Sequence, residues 1–336
     1  MLCAVPALRA LRQWRPSSEF ILIGLPWTAQ LLPRYQTLID RVIVFPGHPE
    51  LPEQAADPEA LERFFCDVRS IKADFAIQMH GSGVVSNRIV ERCGARNMAG
   101  FSIGESKSDG FISWPAKGHE LRRCLRLARA LGARHDGGES LYFPIIAEDL
   151  AELAGTGLPA ELDGEDYICM HAGARSPDRR WPASCFARVA DALAAAGFKI
   201  VLTGSGAEWP LAEQVRQQMR HPAVNAALPC SLGALAALLR NARLLVCNDT
   251  GVSHLAVALE LPSVVIFSTS DPERWAPLDT SLHPIVIDRE GLRDNEVLAS
   301  CQSLLAHTAQ QRQSLPSSAI HLTVPVPALQ ARRRRN

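Results

Sequence analysis

The chain has 336 residues, and its 35 basic and 35 acidic side chains give a formal net charge of zero at pH 7. Nucleic-acid-binding chains carry an excess of basic residues, so this balance argues against nucleic acid as a partner. The length predicts two domains, and a hydrophobic content of 47% is sufficient for two cores.

The cysteines and the apolar runs indicate where such a protein works. Nine cysteines form no C-x-x-C pair and mostly lie in apolar runs, which is typical of reduced thiols in the cytoplasm. No apolar run reaches the roughly 18–20 residues that cross a bilayer, and no signal peptide is evident. We therefore expect a soluble cytoplasmic protein, and no metal-ligand cluster is visible.

The first half alternates predicted strands with predicted helices after an amphipathic helix that begins near residue 6. The strands are 20–24, 41–45, 75–79 and 97–101, and the helices are 27–32, 59–70, 84–93 and 119–131. This alternation predicts a doubly wound parallel sheet. Residues 144–166 show no convincing element and are predicted to join two domains.

The second half repeats the alternation. Its strands are 167–171, 199–202, 224–228, 244–247, 264–267 and 284–288, and its helices are 184–196, 209–220, 232–241 and 294–310, with a further one between 250 and 262. We predict an acceptor-side domain at 1–155, a nucleotide-sugar domain at 160–290, a terminal helix at 291–311 and a disordered basic tail at 312–336.

The turn at 248–251 is the strongest chemical signal. It separates a buried strand from a helix, whose unpaired N–H groups and positive dipole end suit a phosphate. Gly251 allows a ligand to approach the backbone, and Thr250 and His254 share a helix face. The alternative makes Asp249 and Thr250 a helix cap and His254 a buried core histidine, and spacing alone leaves both interpretations open.

The run NDTGVSHLAVALELPSVVIF at 248–267, followed by DPERWAP at 271–277, resembles glycosyltransferase family 9, the ADP-heptose lipopolysaccharide heptosyltransferases. Members carry a DTG-x-x-H-x-x-A-A-x-x-x-P stretch in the nucleotide-sugar half of their fold. The resemblance extends over about residues 2–277. It implies an α/β protein of GT-B fold, in which two Rossmann-like, doubly wound parallel-sheet domains face a cleft.

The resemblance also implies a donor site. The segment HAGARSPDRRWP at 171–182 is similar to the family's H-x-G-A…[K/R]-x-W-P stretch, which contains Gly173 and gives Arg179 to the donor diphosphate. In the turn that begins at Gly204, Glu208 is expected to bind the ribose hydroxyls. The alternatives are a solvated charge for Arg179 and a favourable first-turn charge for Glu208.

Further roles follow from the same resemblance. Thr250, Gly251 and the helix start would hold the diphosphate with His254 beside them, and Asp249 would orient the sugar, which makes Arg179 and Asp249 the catalytic candidates. Three residues would face the cleft from the acceptor side: His80, Ser82 and Asn87. The alternative for the segment at 81–83 is a simple tight turn.

Two departures from the family pattern stand out. Members begin with a strand and a glycine-rich loop ending in Gly-Asp, whose aspartate is the expected general base, whereas this sequence starts at Met1, directly after that point. Because a sheet without an inner strand leaves its neighbours unpaired, we favour a misassigned start over a lost strand. In the second departure, the Ser-Thr-Ser-Asp run at 268–271 replaces the usual Gly-Pro-Thr, which affects the expected sugar preference.

The function implied is inverting transfer of a heptose, or a related sugar, from ADP-heptose to a lipopolysaccharide core acceptor, without metal or other cofactor. The alternatives are a catalytically impaired sugar-nucleotide-binding protein and a transferase for another nucleotide sugar. A Rossmann oxidoreductase is disfavoured because no G-x-G-x-x-G follows the first strand. The four arginines at 332–335 belong to a disordered tail, or add a weak peripheral contact with anionic lipid at the inner membrane face, worth ~1 kcal/mol per charge.

Overall fold

The computed structural model describes residues 1–104, 110–134, 138–162 and 164–314. In the first half, strands alternate with helices and with a 3₁₀ segment at Pro26–Arg34. The elements are α1 Val5–Trp14, β1 Ile21–Gly24, β2 Arg41–Val44, α2 Pro58–Ser70, β3 Phe75–Ile77, α3 Ser86–Arg92, β4 Asn97–Ser102, β5 Phe111–Ser113 and α4 Glu120–Ala130.

The strands of the first half form two parallel sheets, β1–β2 and β3–β4–β5. Among the described residues no ladder joins β1 to β3, and α1 follows a 3₁₀ turn rather than a strand. Helix α1 packs on both sheets, because Leu8 shares a core cluster with Leu22 of β1 and Leu11 shares another with Ile77 of β3. Helix α1 therefore connects the cores of the two sheets.

The second half builds one larger sheet. The elements are α5 Ala147–Gly155, α6 Leu158–Glu161, β6 Tyr167–His171, α7 Ala183–Ala195, β7 Lys199–Thr203, α8 Trp209–Gln218, β8 Ala223–Ala226, α9 Leu232–Arg240, β9 Leu244–Asn248, α10 Gly251–Ala258, β10 Ser263–Phe267, α11 Pro272–Trp275, β11 Ile285–Ile287 and α12 Asp294–Ser314. Its strands are parallel and follow the order β11-β10-β9-β6-β7-β8. The doubly wound prediction is confirmed here.

The central strands are buried on both faces. Every residue of β6, β9 and β10 is buried, which explains why these strands appear in the sequence as uninterrupted apolar runs. Alternate residues of β6 enter opposite cores: Met170 packs with Phe186 of α7, and Cys169 packs with Leu245 and the helices on the other face.

The segment 144–166 was predicted to lack secondary structure, and that prediction is wrong, because α5 and α6 lie within it. Leu153 is buried on α5, but the other buried side chain of this helix is Asp149. A carboxylate on the buried face obscures the apolar periodicity of the helix. It is tolerated there because Arg34, far away in the sequence, pairs with it at 2.7 Å, and both side chains are only 4% exposed.

At the C-terminus, α12 packs on α7 and the adjoining strands through Val297, Cys301 and Leu304. The helix continues to Ser314. The rest of the tail predicted for 312–336 lies outside the described part of the chain. Within the described residues no helix has both the length and the apolar composition of a membrane span.

Candidate active site

The strand order creates a crevice at one edge of the six-stranded sheet. Strands β6 and β9 are neighbours, but the chain leaves β6 towards β7 and leaves β9 towards β10. In open parallel sheets, ligands bind at such a switch point, outside the carboxyl ends of the strands. The predicted donor-site residues Gly173, Arg179, Gly204, Glu208, Asp249, Thr250 and Gly251 all lie in the loops that leave β6, β7 and β9 at this edge.

A buried asparagine holds two of these loops together. Asn248 ends β9 and has no exposed surface. Its side-chain oxygen accepts a hydrogen bond from the backbone N–H of Trp181 at 2.9 Å, and its Nδ2 donates to the carbonyl of Ala172 at 2.8 Å. Asn248 therefore fixes the loop after β6 against the end of β9. Sequence analysis did not single out this residue, although an amide at the end of an apolar strand was the available signal.

The start of α10 is open. Thr250 occupies the N-cap position with an extended backbone, but its side chain makes no capping hydrogen bond. A Cβ added to Gly251 would meet no atom within 4 Å. The helix-cap interpretation of Thr250 thus lacks its defining bond. The first turn of the helix offers N–H groups and a positive dipole end to the space in front of Gly251.

Asp249 lies beside this helix start and is 3% exposed. Burial raises the pKa of its carboxyl above the ordinary value, and this effect outweighs the Ser270 hydroxyl and the positive charge of Arg179, which both lower it. The charge of Arg179, the other catalytic candidate, therefore acts on the Asp249 carboxyl. Arg179 itself is half-buried at the end of the 3₁₀ turn Pro177–Arg179.

A hydrogen bond spans the crevice above β9. Asp178 accepts from the Thr269 hydroxyl at 2.8 Å through one carboxylate oxygen and from the Ser176 hydroxyl through the other. These two hydroxyls lower the pKa of Asp178. Because β9 lies between β6 and β10, this Asp178–Thr269 bridge joins the loops on both sides of the α10 start. It uses the run at 268–271 that departs from the family pattern.

Glu208 lies on the β7 side of the crevice. Its Oε2 accepts from the backbone N–H and the hydroxyl of Ser205, each at 2.8 Å, so the carboxylate does cap its own turn. A Cβ on Gly173 would lie 2.1 Å from Glu208 Oε1, which shows how closely the carboxylate approaches the backbone of the loop after β6. Burial would raise the pKa of Glu208, but the Ser205 N–H and the nearby His171 leave it lowered.

The contacts of the His254 ring are with residues outside these loops. Its Nδ1 lies 4.0 Å from Cys3 Sγ, and its ring centroid lies 6.0 Å from that of Trp275. Burial and, to a smaller extent, the neighbouring His119 lower the pKa of His254 to about 4. The imidazole is therefore neutral and packs between the 3₁₀ turn Leu2–Ala4 and α11, which favours the core-histidine interpretation. A donor-binding role for His254 stays a prediction.

On the acceptor side, the three predicted residues have different surroundings. The side chain of His80 is 61% exposed, and its Nε2 lies 3.5 Å from Glu53 Oε1. Asn87 donates to the carbonyl of Phe101 at 2.9 Å and packs against Gly83, so it fastens the turn to β4. Ser82 lies between two glycines with left-handed backbones, which supports the tight-turn interpretation for this segment.

The two halves of the chain touch around the crevice. Arg175, on the loop after β6, donates to the carbonyl of Pro52 at 3.2 Å. On another side, Arg274 of α11 donates to Glu120 at the start of α4, at 2.8 Å. The segment DPERWAP at 271–277, which resembles the family pattern, thus joins the second half to the first.

The sequence profile described as glycosyltransferase family 9 (heptosyltransferase) matches residues 62–302, which is more than half of the chain. The chain belongs to glycosyltransferase family 9. The match includes every residue proposed above for the donor site and the three predicted on the acceptor side. The match begins at residue 62 and therefore does not include Arg34 or Glu53. The contacts of these two residues are known from the structure and not from the family profile.

Curated relatives of this family 9 chain align over shorter stretches. Lipooligosaccharide heptosyltransferase 2 of Haemophilus influenzae is 31% identical over 106 residues, which cover 30% of this chain and 31% of that protein. Lipopolysaccharide heptosyltransferase 1 of Escherichia coli is 33% identical over 119 residues, or 35% of this chain and 36% of that protein. The alignments thus span about a third of the length of these relatives.

Solved structures resemble nearly the whole chain. A glycosyl transferase family 9 protein from Veillonella parvula has a TM-score of 0.77 at 20% identity and covers 91% of this chain and 93% of its own. The E. coli ADP-heptose LPS heptosyltransferase II has a TM-score of 0.69 at 19% identity, with 92% and 96% covered. At such identities the likeness establishes the fold, and the GT-B prediction is confirmed.

Proposed function

We propose that this family 9 chain is an inverting glycosyltransferase that moves a heptose from ADP-heptose to a lipopolysaccharide core acceptor. The observation that carries the proposal is the open start of α10 at Gly251, placed at a switch point between loops that contain Arg179 and Glu208. The names of the curated relatives, all heptosyltransferases, support the sugar, and a solved E. coli heptosyltransferase bound to ADP supports the nucleotide.

In this proposal the segment 160–290 is the donor domain. The diphosphate lies at the start of α10, where Thr250 and the first-turn N–H groups donate to it and Arg179 adds a full positive charge. Glu208 accepts from the ribose hydroxyls, as an acceptor-only carboxylate suits a diol. Gly173 and Gly204 leave room for the nucleotide beside that carboxylate.

Transfer occurs by single displacement. The acceptor hydroxyl attacks the anomeric carbon from the side opposite the diphosphate, the bond from that carbon to the phosphate oxygen breaks, and ADP leaves with the electron pair. Arg179 and the helix dipole stabilise the charge that develops on the leaving oxygen, which is worth more in a site that excludes water. Asp249, buried beside the start of α10, orients the sugar for this attack.

The acceptor approaches from the first half, past the turn that contains His80 and Ser82. A lipid-linked acceptor places the enzyme in the cytoplasm at the inner face of the membrane, with a peripheral contact. A second candidate is transfer from another nucleotide sugar. It is favoured by the Asp178–Thr269 bridge, whose hydroxyl belongs to the run at 268–271 that stands where the family usually has Gly-Pro-Thr.

The decisive experiment measures ADP binding by calorimetry and sugar transfer by mass spectrometry, with NMR of the product to assign the anomeric configuration. Arg179→Ala should weaken ADP binding at least tenfold, whereas Arg240→Ala, on the exposed end of α9, should not change it. Binding of ADP without transfer from any nucleotide sugar would make this a binding protein. Absence of ADP binding by the unsubstituted chain would refute the donor site.

A further inference from the structure

A cavity lies between the two halves of the chain, apart from the crevice described above. Its volume is about 650 Å³, which is typical of small-molecule sites. The first half contributes the start of α4 and the segment 139–141, and the second half contributes α10 and the residues that precede β9, β10 and β11. Those residues lie at the amino ends of the strands, whereas the proposed donor loops leave the carboxyl ends. The cavity is therefore distinct from the donor crevice.

The wall of the cavity combines apolar side chains with uncharged imidazoles. Leu121 and Leu141 line it from the first half, and Val257 of α10 lines it from the second. Two histidines of the same wall, His254 and His283, each have a pKa that burial lowers to about 4. Both rings are therefore neutral near pH 7 and add no positive charge to the wall.

His283 has a ring nitrogen that the protein leaves unused. The residue is 2% exposed, and its Nδ1 lies 2.8 Å from the hydroxyl oxygen of the buried Ser263. None of the described residues hydrogen-bonds to its Nε2, although His283 lines the cavity. When Nδ1–H donates to the Ser263 hydroxyl, Nε2 is an acceptor. A buried nitrogen without a partner calls for an explanation, and a donor in the cavity supplies one.

Two charged residues of the wall are already neutralised by partners. Arg122 donates to the two carboxylate oxygens of Glu139 at 3.0 and 3.1 Å. Arg243 donates to the two oxygens of Asp166 at 3.1 and 3.0 Å. Neither pair leaves a net charge at the cavity.

Two further carboxylates of the wall, Glu260 and Asp279, have no cationic partner within the described ranges. Asp279 accepts only from neutral groups, which are the hydroxyl and N–H of Ser281 and the N–H of Leu282, and these bonds lower its pKa. Glu260 follows α10 with a left-handed φ of 54°, a conformation that suits glycine better than glutamate. The entrance of the cavity is therefore negatively charged.

We propose that this cavity binds a small organic cation, a protonated amine attached to an apolar ring, a role beyond the transferase function proposed above. The backbone N–H of His283 donates to the carbonyl of Asp279 at 3.0 Å, so the unused imidazole and one carboxylate are neighbours. The ammonium group lies between them, donating to Nε2 and to the carboxylate, and Glu260 adds attraction at the entrance. The apolar ring packs against Leu121 and Val257. An anion would meet two unopposed carboxylates.

The test uses three probes that share an indole ring and differ in charge: tryptamine, tryptophol and indole-3-propionate. Binding to the full chain is measured at pH 7.5 by saturation-transfer NMR and by calorimetry. We expect tryptamine to bind about 3- to 10-fold more tightly than tryptophol, and indole-3-propionate to bind most weakly. Arg179→Ala, in the donor crevice, should leave tryptamine binding unchanged.

Substitutions at the cavity separate charge from shape. The double variant Glu260→Gln with Asp279→Asn keeps the acceptor oxygens and should remove the preference for tryptamine over tryptophol. Glu91→Gln, on the exposed surface of α3, is the matched control and should change neither affinity. His283→Phe keeps a ring but removes Nε2, so it should weaken tryptamine and tryptophol alike, with urea unfolding to verify that the variant is folded.

Three results would overturn the proposal. The first is equal affinity for the three probes, or no binding of tryptamine. The second is a preference for tryptamine that persists in the double variant. The third is loss of tryptamine binding in Arg179→Ala, which would place the amine in the donor crevice. None of these measurements uses ADP or sugar transfer, so the cavity and the proposed transferase function are tested separately.

Discussion

Replacing Gly173 with alanine tests the donor site at its tightest point. The added Cβ would lie 2.1 Å from Glu208 Oε1 and 2.5 Å from its Cδ, so the carboxylate must move by more than an ångström. The φ of Gly173 is outside the left-handed region, and alanine therefore adds no backbone strain. The perturbation is thus confined to the position of the Glu208 carboxylate.

The size of the effect follows from what that carboxylate does. A hydrogen bond to a charged group is worth about 1.5–3 kcal/mol, so losing one ribose contact should weaken ADP binding about 10- to 100-fold. The displaced carboxylate also loses its two bonds from Ser205, which should cost about 0.5–2 kcal/mol of folding stability. The loss of binding free energy should therefore be the larger of the two by about 1 kcal/mol.

Calorimetry with ADP and urea unfolding separate these two effects. Gly155→Ala, where an added Cβ would meet no atom within 4 Å, is the matched control. In a chain that already carries Glu208→Ala, Gly173→Ala should have little further effect on affinity, because the two substitutions act through one group. Unchanged ADP affinity in Gly173→Ala, or an undiminished loss in the double variant, would refute the reasoning.

Three further predictions concern the bridge, the buried ion pair and a buried histidine. Thr269→Val removes the donor to Asp178 and should weaken donor binding several-fold, whereas Thr269→Ser should restore it. Arg34→Met leaves the Asp149 carboxylate unpaired and should cost about 3–5 kcal/mol in urea unfolding near neutral pH. Burial lowers the pKa of His283 from 6.5 to about 4, so unfolding free energy should fall by up to about 1.4 kcal/mol per pH unit as pH drops through that window.

Each of these has a clear contrary result. Equal donor affinity in the valine and serine variants would show that the bridge does not position the donor loops. Burial would raise the pKa of Asp149, but hydrogen bonds from Arg34 and the Ile146 N–H lower it, so its stabilising effect is complete above pH 3.8 and is lost as pH falls below that value. An Arg34→Met deficit that persisted undiminished well below pH 3.8 would contradict the ion-pair explanation. If the unfolding free energy of His283→Gln fell with pH as steeply as that of the unsubstituted chain, His283 would be excluded as the cause of the pH dependence.

Local signals were sufficient for most elements and for the loops of the proposed donor site. Uninterrupted apolar runs at β6, β9 and β10 predicted strands buried on both faces, and their alternation with helices predicted parallel pairing. Parallel strands present their carboxyl ends at one edge, so the residues after those strands could be expected in one crevice. Gly173, Arg179, Glu208 and Gly251 follow from that rule together with the family resemblance.

The amino-acid sequence by itself determined which segments are strands and which loops bear polar chemistry, because those signals are periodic and local. Only the tertiary structure decided that β9 lies beside β6, that Asp149 is a helical core residue paired with Arg34, and that Glu53 meets His80. These contacts join residues separated by tens of positions or more. The burial of a charged or polar side chain depends on a partner that no local pattern specifies, and folding alone brings the two together.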